Sequence, residues 1–109
     1  MRHALHQLDA AACAQALDEG AWLVDVREPH ETTRLAFDHP RCVLMPLSTF
    51  QQRFQELPRD RTLVLACASG ARSFQAMQFL AHHGYTRLAN LRGGIGGWAA
   101  HGAPVRHGS

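Results

Sequence analysis

Cysteine is scarce in this chain, net charge is slight, and no apolar run is long. The three cysteines, Cys13, Cys42 and Cys67, are odd in number and far apart. That is a poor disulfide framework and points to a reducing compartment, the cytoplasm. A formal net charge of +2 over 109 residues leaves no basic footprint for nucleic acid. No stretch reaches the length that crosses a bilayer, and the opening Met1-Arg2-His3-Ala4-Leu5-His6-Gln7 lacks the apolar centre of a secretory leader. Linkers, repeats and low-complexity segments are absent too, so one domain is expected over residues 1–109. What remains is ordinary globular composition, 46% apolar and 18% charged. The histidines are scattered. His82 and His83 fall at a helix C-terminus, where cations are favoured, so no metal and no cofactor is expected.

Along the chain, strand patterns alternate with helix patterns. Leu5 to Leu8 reads as a short edge strand, and Asp9 as the N-cap of a helix to about Glu19, with Leu8 and Cys13 as a hydrophobic staple and Gly20 as the stop. Trp22 to Val26 is a strand, and Pro29 opens a short helix through Thr33. Cys42 to Met45 reads as a second core strand. Ser48-Thr49-Phe50-Gln51 has capping-box form, with Phe50, Phe54 and Leu57 on one helical face until Pro58 and Asp60 break it. Leu63 to Cys67 is a buried strand, Ser73 to His83 a helix, and Leu88 to Leu91 a last strand. Such alternation without hairpin turns predicts an α/β fold, a small parallel sheet flanked by helices on both faces.

The stretch richest in chemistry is Cys67-Ala68-Ser69-Gly70-Ala71-Arg72-Ser73. A strand feeds a helix through a loop of small residues, which leaves backbone N–H groups pointing into the hollow that holds the Cys67 sulfur. The helix N-terminus and Arg72 both favour thiolate over thiol, so Cys67 reads as a nucleophile. In sheets of this kind ligands bind beyond the carboxyl ends of the strands, where Cys67 falls. Cys13 and Cys42 sit on core faces and read as structural. Asp25, Arg27 and Glu31 read as an ion-pair and cap network at the sheet edge. Gly94-Ile95-Gly96-Gly97-Trp98-Ala99 fits a loose dinucleotide-loop pattern, but too little chain follows for such a unit. Close backbone packing, with Trp98 in the core, is the better reading.

Three segments resemble one family. Val24-Asp25-Val26-Arg27-Glu28-Pro29-His30-Glu31 is similar to the Asp-Val-Arg-Glu-Pro-x-Glu stretch of rhodanese domains, residues 67–73 to their Cys-x-x-Gly-x-Arg-Ser loop, and Leu91-Arg92-Gly93-Gly94 with Trp98, Gly102, Pro104 and Val105 to their closing signature. The order and spacing hold over nearly the whole chain. Ala36 to Cys42 departs from the pattern: His39 takes the place of the family histidine without its flanking glycines, and this turn is assigned to the mouth of the site.

The resemblance implies sulfurtransferase chemistry through a persulfide on Cys67. The donor would be a small sulfur-containing anion such as thiosulfate, glutathione persulfide or a protein persulfide; the acceptor would be a thiol, cyanide or a protein. Cys67 and Arg72 are the expected catalytic residues, Arg72 either holding an anionic donor or orienting the loop. Ala68, Ser69, Gly70, Ala71 and Ser73 would bind the transferred sulfur through N–H and hydroxyl donors, with Ser73 alternatively a helix cap. Two other classes compete. Cysteine-dependent phosphatases and arsenate reductases place one residue more between cysteine and arginine than Ala68 to Ala71 provide. A non-catalytic module, or a carrier relaying persulfide to a partner protein, needs the same fold. Neither membrane nor nucleic acid is an expected partner, and the oligomeric state stays open.

Overall fold

The computed structural model describes residues 6–108. Its strands are β1 (His6–Leu8), β2 (Trp22–Asp25), β3 (Leu35–Phe37), β4 (Cys42–Leu44), β5 (Leu63–Ala66), β6 (Leu88–Leu91) and β7 (Val105–His107). The helices are α1 (Ala10–Asp18), α2 (Pro29–Thr32), α3 (Leu47–Arg53), α4 (Ala71–His82) and α5 (Gly94–Ala100). Five strands form a parallel sheet in the order β1-β6-β5-β2-β4. The central strand β5, Leu63-Val64-Leu65-Ala66, is buried along its whole length. Its side chains alternate between two cores, as the pleat requires. Leu63 and Leu65 face α3 and α4 with Phe50, Phe54, Met77 and Leu80; Val64 and Ala66 face α1 and α5 with Cys13, Leu17, Ile95 and Trp98. Helices therefore cover both faces, as the alternation predicts. Among the described residues no helix is long and apolar enough to cross a membrane.

Several local expectations hold for stated reasons. The Asp9 carboxylate accepts from the Ala12 N–H at 2.8 Å, capping α1. Pro29 opens α2, and the Glu28 and Glu31 side chains cap it reciprocally, a box that the sequence reading missed. Of the first strand, Leu5 lies outside the described residues.

Other expectations need correction. The Ser48 capping box is not formed: α3 begins at Leu47 behind Pro46, and the Ser48 hydroxyl donates to Glu28 Oε1 at 2.7 Å. Helix α3 also ends at Arg53, so Phe54 and Leu57 reach the core from a tighter turn. The β4 strand lies at the sheet edge rather than in the core, and its Leu44 is 48% exposed. The sheet is not all that the strands make. β3 and β7 pair antiparallel, far apart in sequence, so no local turn signal announces them. This small ribbon closes over the Trp98 end of the core: Phe37 meets Trp98 edge to face at 5.4 Å, and the indole N–H donates to the Pro104 carbonyl at 2.7 Å. The divergent turn after β3 precedes β4, where the His39 ring accepts from the Arg41 N–H and the Arg41 side chain reaches the end of α1 at Leu17. Residues 38–41 thus lie at the opposite end of the parallel strands from Cys67, not at its mouth.

At the end of β2, Asp25 accepts twice from the Arg27 guanidinium, at 3.0 and 2.8 Å, and once from the Arg27 N–H, with both side chains almost fully buried. Asp25→Ala leaves that guanidinium buried and unpaired, and a loss of about 3–5 kcal/mol in urea unfolding is expected. Arg106→Ala breaks the exposed pair with Asp38 and is expected to leave the unfolding midpoint within error.

Candidate active site

Strand β5 delivers Cys67 to its carboxyl end, and the chain turns through Ala68 and Ser69 into α4. The helix does not wait for Ser73. Gly70 is its N-cap, in the left-handed region at φ +107°, and Ala71 is the first helical residue. That conformation suits glycine. There is little room besides: a Cβ on Gly70 would stand 3.3 Å from the Leu91 carbonyl oxygen.

The resulting curl aims donors at sulfur. The Gly70 N–H lies 3.1 Å from Cys67 Sγ, and the Ser73 N–H and hydroxyl each lie 3.4 Å from it. Ser73 is fully buried and points at the sulfur, so its hydroxyl does not cap the helix. Burial alone pushes the Cys67 thiol up, but the donors from Ser73, Gly70 and Ser69 outweigh it, and the net shift is downward. The other two cysteines have burial without donors, and both thiols are pushed up to about 12. All three are free. One sulfur of three is therefore surrounded by donors that favour its thiolate over its thiol.

For the N–H groups to face inward, the loop carbonyls must face outward and find donors of their own. The Ile95 N–H donates to the Cys67 carbonyl at 2.9 Å, and the Gly96 N–H reaches the Ala68 carbonyl at 3.4 Å. The Asn90 side-chain amide donates to the Gly70 carbonyl at 3.0 Å and to Gln7 Oε1 at 3.1 Å. Asn90 Oδ1 is buried with no partner among the described residues. The start of α5 presses so closely that a Cβ on Gly94 would lie 2.4 Å from both the Cys67 and Ala68 carbonyl oxygens. The close backbone packing read from residues 94–99 is found here, against the loop carbonyls; Asn90 went unnoticed in the sequence, although an amide inside the otherwise apolar strand Leu88-Ala89-Asn90-Leu91 was a signal.

Arg72 leaves the loop in another direction. Its two terminal nitrogens bond the two Glu31 oxygens at 2.8 and 2.7 Å, a fork filled by one carboxylate. The Arg72 side-chain bond holds the Glu31 carboxyl down to about 2. Glu31 also accepts from the Glu28 N–H, and Glu28 bonds Ser48, so α2, α3 and the active loop are tied together. The expected network is thus split in two among the described residues: Asp25 pairs with Arg27, while Glu31 caps α2 and pairs with Arg72. The structure brings donors of Ser69, Gly70 and Ser73 to the Cys67 sulfur and turns the Arg72 side chain away from it. Ala68, Ser69 and Ala71 are exposed on its rim, while Cys67 itself is 1% exposed.

With this geometry in hand, comparison with known proteins is direct. Residues 9–101 match the rhodanese-like domain family. A sulfurtransferase from Allochromatium vinosum is 40% identical over 103 residues, spanning 93% of this chain and 94% of that protein. The thiosulfate sulfurtransferase GlpE of Actinobacillus pleuropneumoniae serotype 7 is 32% identical over 89 residues, covering 81% of this chain and 80% of its own. Among solved structures, a rhodanese-related protein from Thermoplasma volcanium superposes with a TM-score of 0.82 at 29% identity, over 93% of this chain and 97% of that one. The chain belongs to the rhodanese-like family, with a cysteine at the centre of its active loop.

Two outcomes test the cradle. Ser73→Ala removes a hydroxyl donor, so the pH midpoint for iodoacetamide alkylation of Cys67 is expected to rise; an unmoved midpoint contradicts the assigned role. Gly94→Ala is expected to destabilise the fold by about 1–3 kcal/mol in urea, because its Cβ meets loop carbonyls. Gly96→Ala, whose Cβ would lie an ordinary 3.7 Å from the Ala68 oxygen, is expected to be milder.

Proposed function

We propose that the protein is a sulfurtransferase that carries a sulfane sulfur as a persulfide on Cys67. The observation that carries this reading is the convergence of the Gly70 N–H, Ser73 N–H and Ser73 hydroxyl on one buried sulfur. The sulfurtransferase names of the relatives support it. With thiosulfate as donor, the Cys67 thiolate attacks the outer sulfur, the S–S bond breaks, and its electron pair leaves with sulfite. Cys67 then holds a persulfide anion. An acceptor thiolate or cyanide takes the outer sulfur, and the returning pair restores the Cys67 thiolate. The transfer changes partners twice and has no net oxidant, so ping-pong kinetics follow.

Fixed N–H donors around a developing sulfur anion act as an oxyanion hole does for oxygen, with no reorganisation at the moment of transfer. Ala68, Ser69, Gly70, Ala71 and Ser73 form this cradle, the alanines by being small and the others also by donating. Arg72 has a filled fork, which supports the loop-orienting task over the anion-holding one. Three unpaired cysteines fit a reducing cytoplasm.

Intact mass after incubation with thiosulfate tests the chemistry. Wild type is expected to gain one sulfur atom that cyanide removes, and Cys67→Ser is expected to gain none. Gain by the variant, or none by wild type with thiosulfate or polysulfide, overturns the reading. For Arg72 the informative partner is Glu31→Gln. Slower loading in both Arg72→Ala and Glu31→Gln, by roughly tenfold each, marks an orienting pair. Faster thiosulfate loading in Glu31→Gln marks an anion holder freed from its carboxylate.

A further inference from the structure

Of the hydrogen bonds to Cys67 Sγ, that from the Gly70 N–H is the shortest, at 3.1 Å against 3.4 Å for both Ser73 donors. Yet Gly70 is the loop residue whose backbone is least constrained by its own chemistry, because glycine reaches φ and ψ values closed to other residues. Its carbonyl holds it. That oxygen accepts from the Phe74 N–H at 3.2 Å and from Asn90 Nδ2 at 3.0 Å. The Phe74 bond is the ordinary opening bond of α4 and comes with any helix. The Asn90 bond comes from another element, β6.

An amide is an unusual residue for that place. Asn90 is 1% exposed in a strand whose other residues, Leu88, Ala89 and Leu91, are apolar and buried. Its Nδ2 donates both to the Gly70 carbonyl and to Gln7 Oε1, at 3.1 Å, which leaves Oδ1 buried without a partner among the described residues. Turning the amide over would set Oδ1 against the Gly70 oxygen, so its acceptors force the orientation. An orphaned buried acceptor is destabilising, and a leucine of the same branched shape would suit the strand better. The amide serves the loop rather than the sheet.

Gln7 completes the arrangement. It stands beside Asn90 in the parallel register of β1 on β6, so the two side chains share a face of the sheet. Strand β1 lies at the sheet edge, and Gln7 is exposed. Its oxygen is the second acceptor for Asn90 and sets the plane in which the other N–H meets Gly70. Peptide planarity carries the effect into the loop. With the Gly70 carbonyl fixed on Asn90, the Ala71 N–H of the same peptide points the opposite way, and Gly70 ψ is held at −10°. The glycine cannot swing without breaking the Asn90 bond.

We propose that Asn90 is a positioning residue for sulfur transfer: oriented by Gln7 from the edge strand, it pins the Gly70 carbonyl and thereby keeps the Gly70 N–H on the Cys67 sulfur. This deepens the sulfur-transfer reading and rests on it. Asn90 bonds neither the sulfur nor a substrate, and it acts through Gly70 alone. Without the amide the cradle loosens, and its donor weakens both on the resting thiolate and on the charge that develops during transfer. The effect falls on the ionisation of Cys67 and on kcat, with the KM for thiosulfate little changed.

The test compares wild type with Asn90→Leu, Gln7→Ala and the double variant. Two readouts are taken on the full chain: the pH midpoint of iodoacetamide alkylation at Cys67, and initial rates of sulfur loading from thiosulfate by intact mass. Asn90→Leu is expected to raise the midpoint by about half a unit and to lower kcat about fivefold, the share that one hydrogen bond carries. Its unfolding midpoint in urea is expected to stay near that of wild type. Gln7→Ala is expected to move both readouts the same way and less far. In the double variant it adds nothing to Asn90→Leu, because it acts through the same amide. A folded Asn90→Leu protein with both readouts at wild-type values overturns the assignment, and additive effects in the double variant overturn the path from Gln7. If Asn90→Leu does not fold, Gln7→Ala decides: a raised midpoint supports the assignment and an unmoved one overturns it. Alkylation needs no sulfur donor. A wild type that loads from neither thiosulfate nor polysulfide therefore overturns the sulfur-transfer reading, while the alkylation midpoints still judge the hold of Asn90 on the loop.

Discussion

Everything at this site depends on one backbone constraint: the peptide groups of residues 67–73 must point their N–H bonds at sulfur and their carbonyls away from it. A loop left to itself has no reason to keep that arrangement, since each outward carbonyl loses a partner when it is buried. The protein meets the requirement from outside the loop. Backbone N–H groups of Ile95 and Gly96 take two carbonyls, and the Asn90 amide takes a third. The glycines at 70 and 94 allow the approach that this needs, one by adopting a left-handed cap and the other by leaving no side chain against the Cys67 and Ala68 carbonyl oxygens. The electrostatics of Cys67 follow. Its sulfur gains three donors, while Cys13 and Cys42 gain none and stay protonated.

The same logic places the charges. Arg27 and Arg72 sit close to the loop, yet each is held by a carboxylate, Asp25 and Glu31. Buried or half-buried guanidinium groups fix geometry through their forks more than they attract free anions. The short helix α2, the start of α3 and the active loop thereby become one hydrogen-bonded unit.

Much of this was legible in the residues. The parallel sheet followed from alternation of strand and helix patterns, and the capped start of α1 from Asp9. The cysteine loop could be located because a buried strand runs into small residues and then an apolar helical stripe. What stayed hidden had long-range causes. The β3–β7 pairing joins segments some seventy residues apart through register, which no local pattern records. Ser48 has the form of a cap but finds a stronger acceptor in Glu28, supplied by another segment. Arg72 reads as a free cation until the fold brings Glu31 to it. Asn90 passed unremarked as a polar residue in an apolar strand, and its purpose appears when Gly70 is placed beside it.

The central claim is that the loop shifts Cys67 towards its thiolate before any substrate arrives. Ultraviolet titration of the thiolate, taken as the difference between wild type and Cys67→Ser, measures that directly. A midpoint clearly below the ordinary cysteine value of about 8.5 is the predicted result. A midpoint at or above that value would show that burial outweighs the donors and would contradict the account.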